Sequence, residues 1–375
     1  MSEPIDEILH AASTLADPVA ALRAALIEAG RALAGRGGTP VDMLAMTWSS
    51  REPAAIHPAR RCVDLAYRDV FGGRRPTIDV VAADHDGVCV DIRVGKPSTL
   101  PAGPIWNGFT LPELARQYSP RATVPDDMAI LAHWHATGAV TRAKRLTAEL
   151  AYGAAAEETL DLYTPAGRGP HPLWIFIHGG YWVATDAAAH ARFASGMLDA
   201  GYAVAILDYT FAPRMPVAGI VRQMQAAISF LAREARALDC DPERFHTAGH
   251  SAGGHLVAML AALPEGRLIR SCLPLSGLFD LAPLAALPMG PLLGLDKPGA
   301  VSLLSPQFLR PLSHIRVGVA VGGKESAEFQ RQSVDFARTW GNAPCRIIAG
   351  KNHFDLLDGL EGGELLDFAV ETARP

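Results

Sequence analysis

Three short segments of this 375-residue chain carry residue types that could together do nucleophilic chemistry. The first is Gly249-His250-Ser251-Ala252-Gly253, a G-x-S-x-G pentapeptide. A serine hydroxyl attacks poorly until a base takes its proton, and it must stand clear of the backbone to reach a carbonyl carbon. A very tight strand-to-helix turn provides that exposure. Glycines on either side remove side chains that would clash, and the N-terminus of the following helix favours negative charge beside the serine. The pentapeptide alone recurs by chance, but here a strand-like run, RFHTAGHS (244–251), leads into it and a helical pattern opens at Ala252.

The second segment is His178-Gly179-Gly180, after the apolar run PLWIFI. Acyl transfer builds negative charge on the former carbonyl oxygen, and backbone N–H groups hold it without reorganising. Gly179 or Gly180 would supply one donor and Ala252, following the serine, the other. The third segment must bring a base. Where a serine stands on such a strand-to-helix elbow, the acid and then the histidine are expected to follow it along the chain. Past Ser251 the histidines are His255, His314 and His353. His255 lies one helical turn beyond the serine and reads as a packing residue, and His314 precedes a strand and so falls at the wrong end of the sheet. His353, in GKNHF, follows the last strand at its carboxyl end and is the candidate base.

A carboxylate after IRVGVAVGG would orient the imidazole. Glu325 comes first, Glu328 is three residues on, and Asp280 after LPLSGLF is an outlying alternative. Glu325 is the choice. His178, Tyr181, Trp182 and His250 flank the two loops and are the expected lining of a substrate pocket; Tyr181 and Trp182 could line an aromatic acceptor site or be core, and the loop position, which should expose them, favours the site. His133-Trp134-His135 resembles a ligand pair but lies in a helical pattern with no third ligand nearby, and reads as a solvated helix face; serine chemistry of this kind requires no metal and no organic cofactor.

The elements needed to position these residues are legible. From PLWIFIHGG (172–180) onward, apolar runs alternate with amphipathic helical patterns: YAVAILDY (202–209), a helix over 217–238, RFHTAGHS, LIRSCLPLSG (268–277), IRVGVAVGG (315–323), a helix over 326–340 and PCRIIAG (344–350). Near-continuous apolar strands alternating with helices imply a mostly parallel sheet covered on both faces, with its site at the carboxyl ends of the strands. AELAYGAAAEETLDLY suggests a β-hairpin ahead of it, and LPELARQYSPRATVPDD a helical lead-in broken by prolines. Before these, residues 1–97 read as a small α+β domain: a helix over 18–36, a strand over 41–49, a helix over 56–73, and strands over 77–84 and 87–95. A Pro/Gly-rich linker (98–108) then separates that domain from residues 109–375.

Bulk properties narrow the functional classes. The composition, 49% hydrophobic and 19% charged with a formal net charge of −5, is that of an ordinary globular chain without the basic face that nucleic acid or an anionic membrane requires. The acidic start lacks the pattern of a secretory signal, and no apolar run is long enough to span a bilayer. Five scattered cysteines in no metal spacing suit a reducing, cytoplasmic compartment.

Taken in order, HGGYW, LDYTFAP, AGHSAGGHL, SGLFDL, GGKESAEFQRQS and GKNHF resemble the arylformamidase (kynurenine formamidase-like) branch of the α/β-hydrolases over roughly residues 109–370. The resemblance implies Ser251 as nucleophile, Glu325 as acid, where many relatives carry Asp, and His353 as base. Part of the pattern is shared with hormone-sensitive-lipase-like carboxylesterases. AYRDVFGGRRPT followed by GVCVDIRV is similar to the RidA/YjgF family of enamine deaminases. The leading strands of that family are missing from the reading, since few residues precede Asp17, and Pro76 falls where its substrate-binding arginine would. The resemblance implies a partial, structural domain and a homo-oligomer.

The expected function is hydrolysis of an N-formyl or short N-acyl amide of a small aromatic amine or enamine. The alternatives are a carboxylesterase of broad small-ester scope and, from a different class, a non-catalytic binding or scaffold protein.

Overall fold

The computed structural model describes residues 7–13, 25, 43–50, 77–82, 88–94, 103–124 and 126–374. The chain divides into two compact units, Met1–Pro104 and Ile105–Pro375. In the first, β1 (Glu7–Ser13), β2 (Met43–Ser50), β3 (Thr77–Ala82) and β4 (Val88–Val94) form a sheet in the order β1-β4-β2-β3. β4 runs antiparallel to β1 and β2, whereas β2 and β3 are parallel. The few residues before Asp17, read as too few to supply further leading strands, hold one strand, β1, paired along the edge of β4. The helices expected over 18–36 and 56–73 lie outside the described residues, apart from Ala25, which is helical and buried.

The second unit is built on a nine-stranded sheet. Its strands are β5 (Ala148–Ala151), β6 (Thr159–Tyr163), β7 (His171–Ile177), β8 (Ala203–Leu207), β9 (Cys240–His250) and β10 (Ile269–Leu275). β11 (Arg316–Val317), β12 (Val319–Gly322) and β13 (Cys345–Ile348) complete it. The order is β5-β6-β8-β7-β9-β10-β12-β13, with β11 also paired to β10. Only the β5–β6 and β6–β8 pairs are antiparallel. IRVGVAVGG, expected as one strand, is broken at Gly318, where a Cβ would lie 2.8 Å from both Phe368 and Thr372.

Every residue of β7 and β8 is buried, as a sheet covered on both faces demands. Alternate side chains go to opposite faces. Leu173, Ile175 and Ile177 join one core, with α3 (Val217–Glu234), α4 (Ala252–Ala262) and α5 (Ala327–Thr339) packed over it. Trp174 and Phe176 join the other, beneath α2 (Asp127–Arg145) and α6 (Glu364–Ala373). The short α1 (Leu111–Gln117) contributes Leu114 to the first core. No described helix is long and apolar enough to cross a membrane.

Candidate active site

Ser251 occupies the single residue between the end of β9 and the start of α4, with φ 56° and ψ −116°. Positive φ is uncommon for a residue with a side chain and marks a turn held by its surroundings. What holds it is steric. A Cβ on Gly249 would fall 2.3 Å from the Gly253 carbonyl oxygen, and one on Gly253 would fall 1.9 Å from the Ile177 carbonyl oxygen. The two glycines of the pentapeptide therefore let α4 start directly against the end of β7. The Ser251 amide donates to the Leu275 carbonyl at 2.8 Å, fixing the turn to β10 as well.

The His178-Gly179-Gly180 loop leaves β7 beside this turn. A Cβ on Gly179 would lie 3.1 Å from Ser251 Cβ, so the loop backbone passes against the serine. The Gly179 carbonyl accepts from the hydroxyls of Tyr209 and Thr185, both at 3.2 Å, and lies 2.9 Å from His178 Nδ1. A trans peptide is planar, so pinning that carbonyl turns the Gly180 N–H the opposite way. Among the described residues none accepts from the backbone amides of Gly179, Gly180 or Ala252.

His178 is fully buried; it stacks on Tyr209 with ring centroids 4.6 Å apart, and its Nε2 lies 3.2 Å from Asp208 Oδ1. Asp208 and Tyr209, which follow directly on β8, thus lie against the loop from below. The readable signal was their place at the carboxyl end of the strand next to β7. The neighbouring His190 is also buried, which pushes its pKa down to about 3.

His353 and Glu325, 28 residues apart in sequence, meet in the interior: Nδ1 of His353 is 2.6 Å from Oε2 of Glu325. The other carboxylate oxygen accepts from the Gly322 amide at 2.7 Å and the Ser276 hydroxyl at 2.5 Å. The imidazole is confined by His250, Phe329 and Phe354, with centroids at 4.5, 4.7 and 5.7 Å. Burial first, and then His353 and His190, hold His250 well below the ordinary histidine pKa, so it is a neutral neighbour.

The other candidates are engaged elsewhere. Glu328 is paired with Arg331, Asp280 caps the Ala282 amide at 2.9 Å, and His255 bonds the Leu304 carbonyl at 2.7 Å. His314, His133 and His135 are exposed.

The loop position does not expose Trp182. With φ of 51° and 57° at Tyr181 and Trp182, the chain turns inward. The Trp182 indole is fully buried and meets His255 edge-on at 5.0 Å. Tyr181 is half-buried and donates to the Tyr118 carbonyl. His178 and His250 likewise lie behind the loops rather than on an open wall.

Tyr118 belongs to a strap the sequence did not flag. Its hydroxyl donates to Glu328 Oε2 at 2.8 Å, the Trp106 indole donates to the same oxygen at 3.2 Å, and Ser326 Oγ donates to the Gln117 carbonyl at 2.6 Å. Residues 106–118 are thereby tied to the helix that follows Glu325.

Residues 160–272 match the BD-FAE family model. The chain is 27% identical to kynurenine formamidase from Danio rerio over 68% of its own length and 93% of that protein. It is 26% identical to the Salmo salar enzyme of the same name over 69% and 94%. Among solved structures it resembles a putative thioesterase from Silicibacter sp. TM1040 (31% identity, 68% of this chain and 97% of that one, TM-score 0.62). It shares the fold alone with a Pyrobaculum calidifontis esterase (18% identity, 69% and 95%, TM-score 0.53). With the strand order, the glycine-bound serine turn and these likenesses together, the chain belongs to the α/β-hydrolases, as an enzyme similar to kynurenine formamidases in sequence and to esterases in fold.

Proposed function

We propose that the chain is a serine hydrolase that cleaves an N-formyl or short N-acyl amide of an aromatic amine or enamine through an acyl-enzyme. The observation that carries the chemistry is the buried Glu325–His353 pair at 2.6 Å, at the same end of the sheet as the Ser251 turn and its unpaired amides. The substrate class rests on the likeness to kynurenine formamidases over most of their length.

Because Nδ1 of His353 is committed to Glu325, Nε2 is left to take the proton as Ser251 Oγ bonds to the carbonyl carbon. The oxygen of the tetrahedral intermediate is held by amides from Gly179, Gly180 and Ala252, each donor worth about 3 kcal/mol in comparable sites. The imidazolium then passes its proton to the departing nitrogen, the C–N bond breaks and the amine leaves. Water adds to the formyl-serine while His353 takes a proton, and formic acid departs as that proton returns to Ser251. An aniline or enamine nitrogen leaves more readily than an alkyl amine, so this acid suffices.

A carboxylesterase is the second reading, favoured by the esterase fold neighbours. The deciding experiment is kcat/KM on N-formylkynurenine beside acetyl and butyryl esters, with Ser251→Ala as the control. Efficient deformylation with weak ester turnover supports the amide reading; the reverse ranking replaces it with the esterase. An active Ser251→Ala protein would overturn both. For residues 1–97 the reading as a partial, structural RidA/YjgF-like domain rests on the motif resemblance alone; it expects no ammonia release from an enamine by the full-length Ser251→Ala chain, and release would replace it with a retained deaminase.

A further inference from the structure

We infer that Ser276 is a positioning residue for this reaction: its hydroxyl holds Glu325 in register with His353, and the segment that carries it also fixes Ser251. The inference rests on the reading of Ser251, Glu325 and His353 given above.

Ser276 follows directly on β10 and is completely buried. Its hydroxyl donates to Glu325 Oε1 at 2.5 Å, the oxygen that also takes the Gly322 amide at 2.7 Å. The two donors occupy one carboxylate oxygen and leave the other, Oε2, for His353 at 2.6 Å. A glutamate has one more rotatable bond than an aspartate. Two fixed donors on one oxygen remove the freedom that this bond adds.

The backbone gives the second argument. Ser276 has φ 49°, a left-handed conformation that glycine adopts freely and a serine adopts only at a cost. Among the described residues, the contact with Glu325 is the one hydrogen bond its hydroxyl makes. The same stretch reaches the nucleophile: the Leu275 carbonyl accepts the Ser251 amide at 2.8 Å, and the Ser276 amide donates to the Ala320 carbonyl at 2.8 Å. A Cβ on Gly254 would come 2.9 Å from Gly277 Cα, so α4 rests on this segment too. Leu275–Gly277 therefore lies between the serine turn and the acid, touching both.

The test uses the full chain, with each variant assayed on whichever substrate series the wild type turns over faster. Ser276→Ala removes the hydroxyl and keeps the strain, whereas Ser276→Gly removes both. The expected result is a fall in kcat of about 10- to 100-fold in both variants, the size of a lost hydrogen bond to a charged group, with little change in KM. The far-downfield proton resonance of His353 Nδ1–H should broaden or shift upfield in both. Adding Ser276→Ala to Glu325→Gln should cost almost nothing further, because the two residues act as one unit.

Wild-type kcat in Ser276→Ala, or an equal extra loss in the Glu325→Gln background, would overturn the inference. So would failure of both Ser276 variants to fold, which would assign the hydroxyl to the fold rather than to Glu325. Full activity of Ser251→Ala or Glu325→Gln would instead overturn the underlying mechanism, so the two failures are distinguishable.

Discussion

Replacing Gly253 with alanine tests whether the serine turn is set by steric contact with β7. The added Cβ would sit 1.9 Å from the Ile177 carbonyl oxygen, 2.6 Å from the Ile177 carbonyl carbon and 2.7 Å from the His178 carbonyl oxygen. All three are backbone atoms at the end of a fully buried central strand, so no side chain can swing aside. To reach even 3.0 Å from the Ile177 oxygen, the start of α4 would have to move by about 1.1 Å. The moving part carries Ser251 and the Ala252 amide, and a misplacement of about 1 Å at a reacting centre costs roughly 100-fold in rate. Overpacking also destabilises by about 1–3 kcal/mol, which lowers Tm by several degrees in a unit of this size. The assay is kcat, corrected for labelling by a fluorophosphonate probe, beside thermal unfolding followed by circular dichroism. Gly362→Ala, where a Cβ meets nothing within 4 Å, is the control and should match wild type in both. A Gly253→Ala enzyme with kcat within about twofold of wild type would refute the reasoning, since on this account its serine turn cannot form undisturbed.

Three further outcomes are expected. Tyr209→Phe removes the hydroxyl that donates to the His178 and Gly179 carbonyls; with Thr185 still on Gly179, kcat should fall about 10-fold, less than for losing an oxyanion donor itself, and a change confined to KM would count against the prop. Glu328→Gln should destabilise by about 2 kcal/mol and speed proteolytic cleavage within residues 106–118, because the buried carboxylate that anchors Arg331, Tyr118 and Trp106 is lost; an unchanged cleavage rate would separate the strap from Glu328. Burial pushes His190 down to about 3, and His246 and His255 to about 4. The unfolded chain therefore binds protons that the folded one refuses, so stability present above about pH 6.5 is lost as pH falls toward those values, by about 2 kcal/mol per histidine at pH 5. Denaturant midpoints at pH 7.5 and 5.0 check this, and equal midpoints would contradict it.

How much of this was legible beforehand varies with the range of the contact involved. The strands of the second unit announced themselves, because a strand buried on both faces must be apolar throughout, as in WIFI of β7 and AVAIL of β8. Ser251 and the HGG loop were legible because a glycine records a local requirement: no room for a side chain. Trp182 was misread because position in a loop does not decide which way a ring points; two positive φ angles and the space beside His255 do. β1 was missed because its partner lies some eighty residues away, and Gly318 broke an apolar run because α6 presses on it.

The sequence by itself determined the layered fold and the serine turn, and it set Ser251, Glu325 and His353 at successive strand ends, since periodicity and tight turns are properties of neighbouring residues. Only the tertiary structure decided which carboxylate meets His353, that Ser276 bonds that carboxylate, and that Asp208 and Tyr209 lie against the HGG loop. It alone tied Trp106 to Glu328, 222 residues away. The reason is that a hydrogen bond between distant side chains needs both residues present but leaves no mark on the residues beside either one; its geometry exists once the sheet has brought the strand ends together.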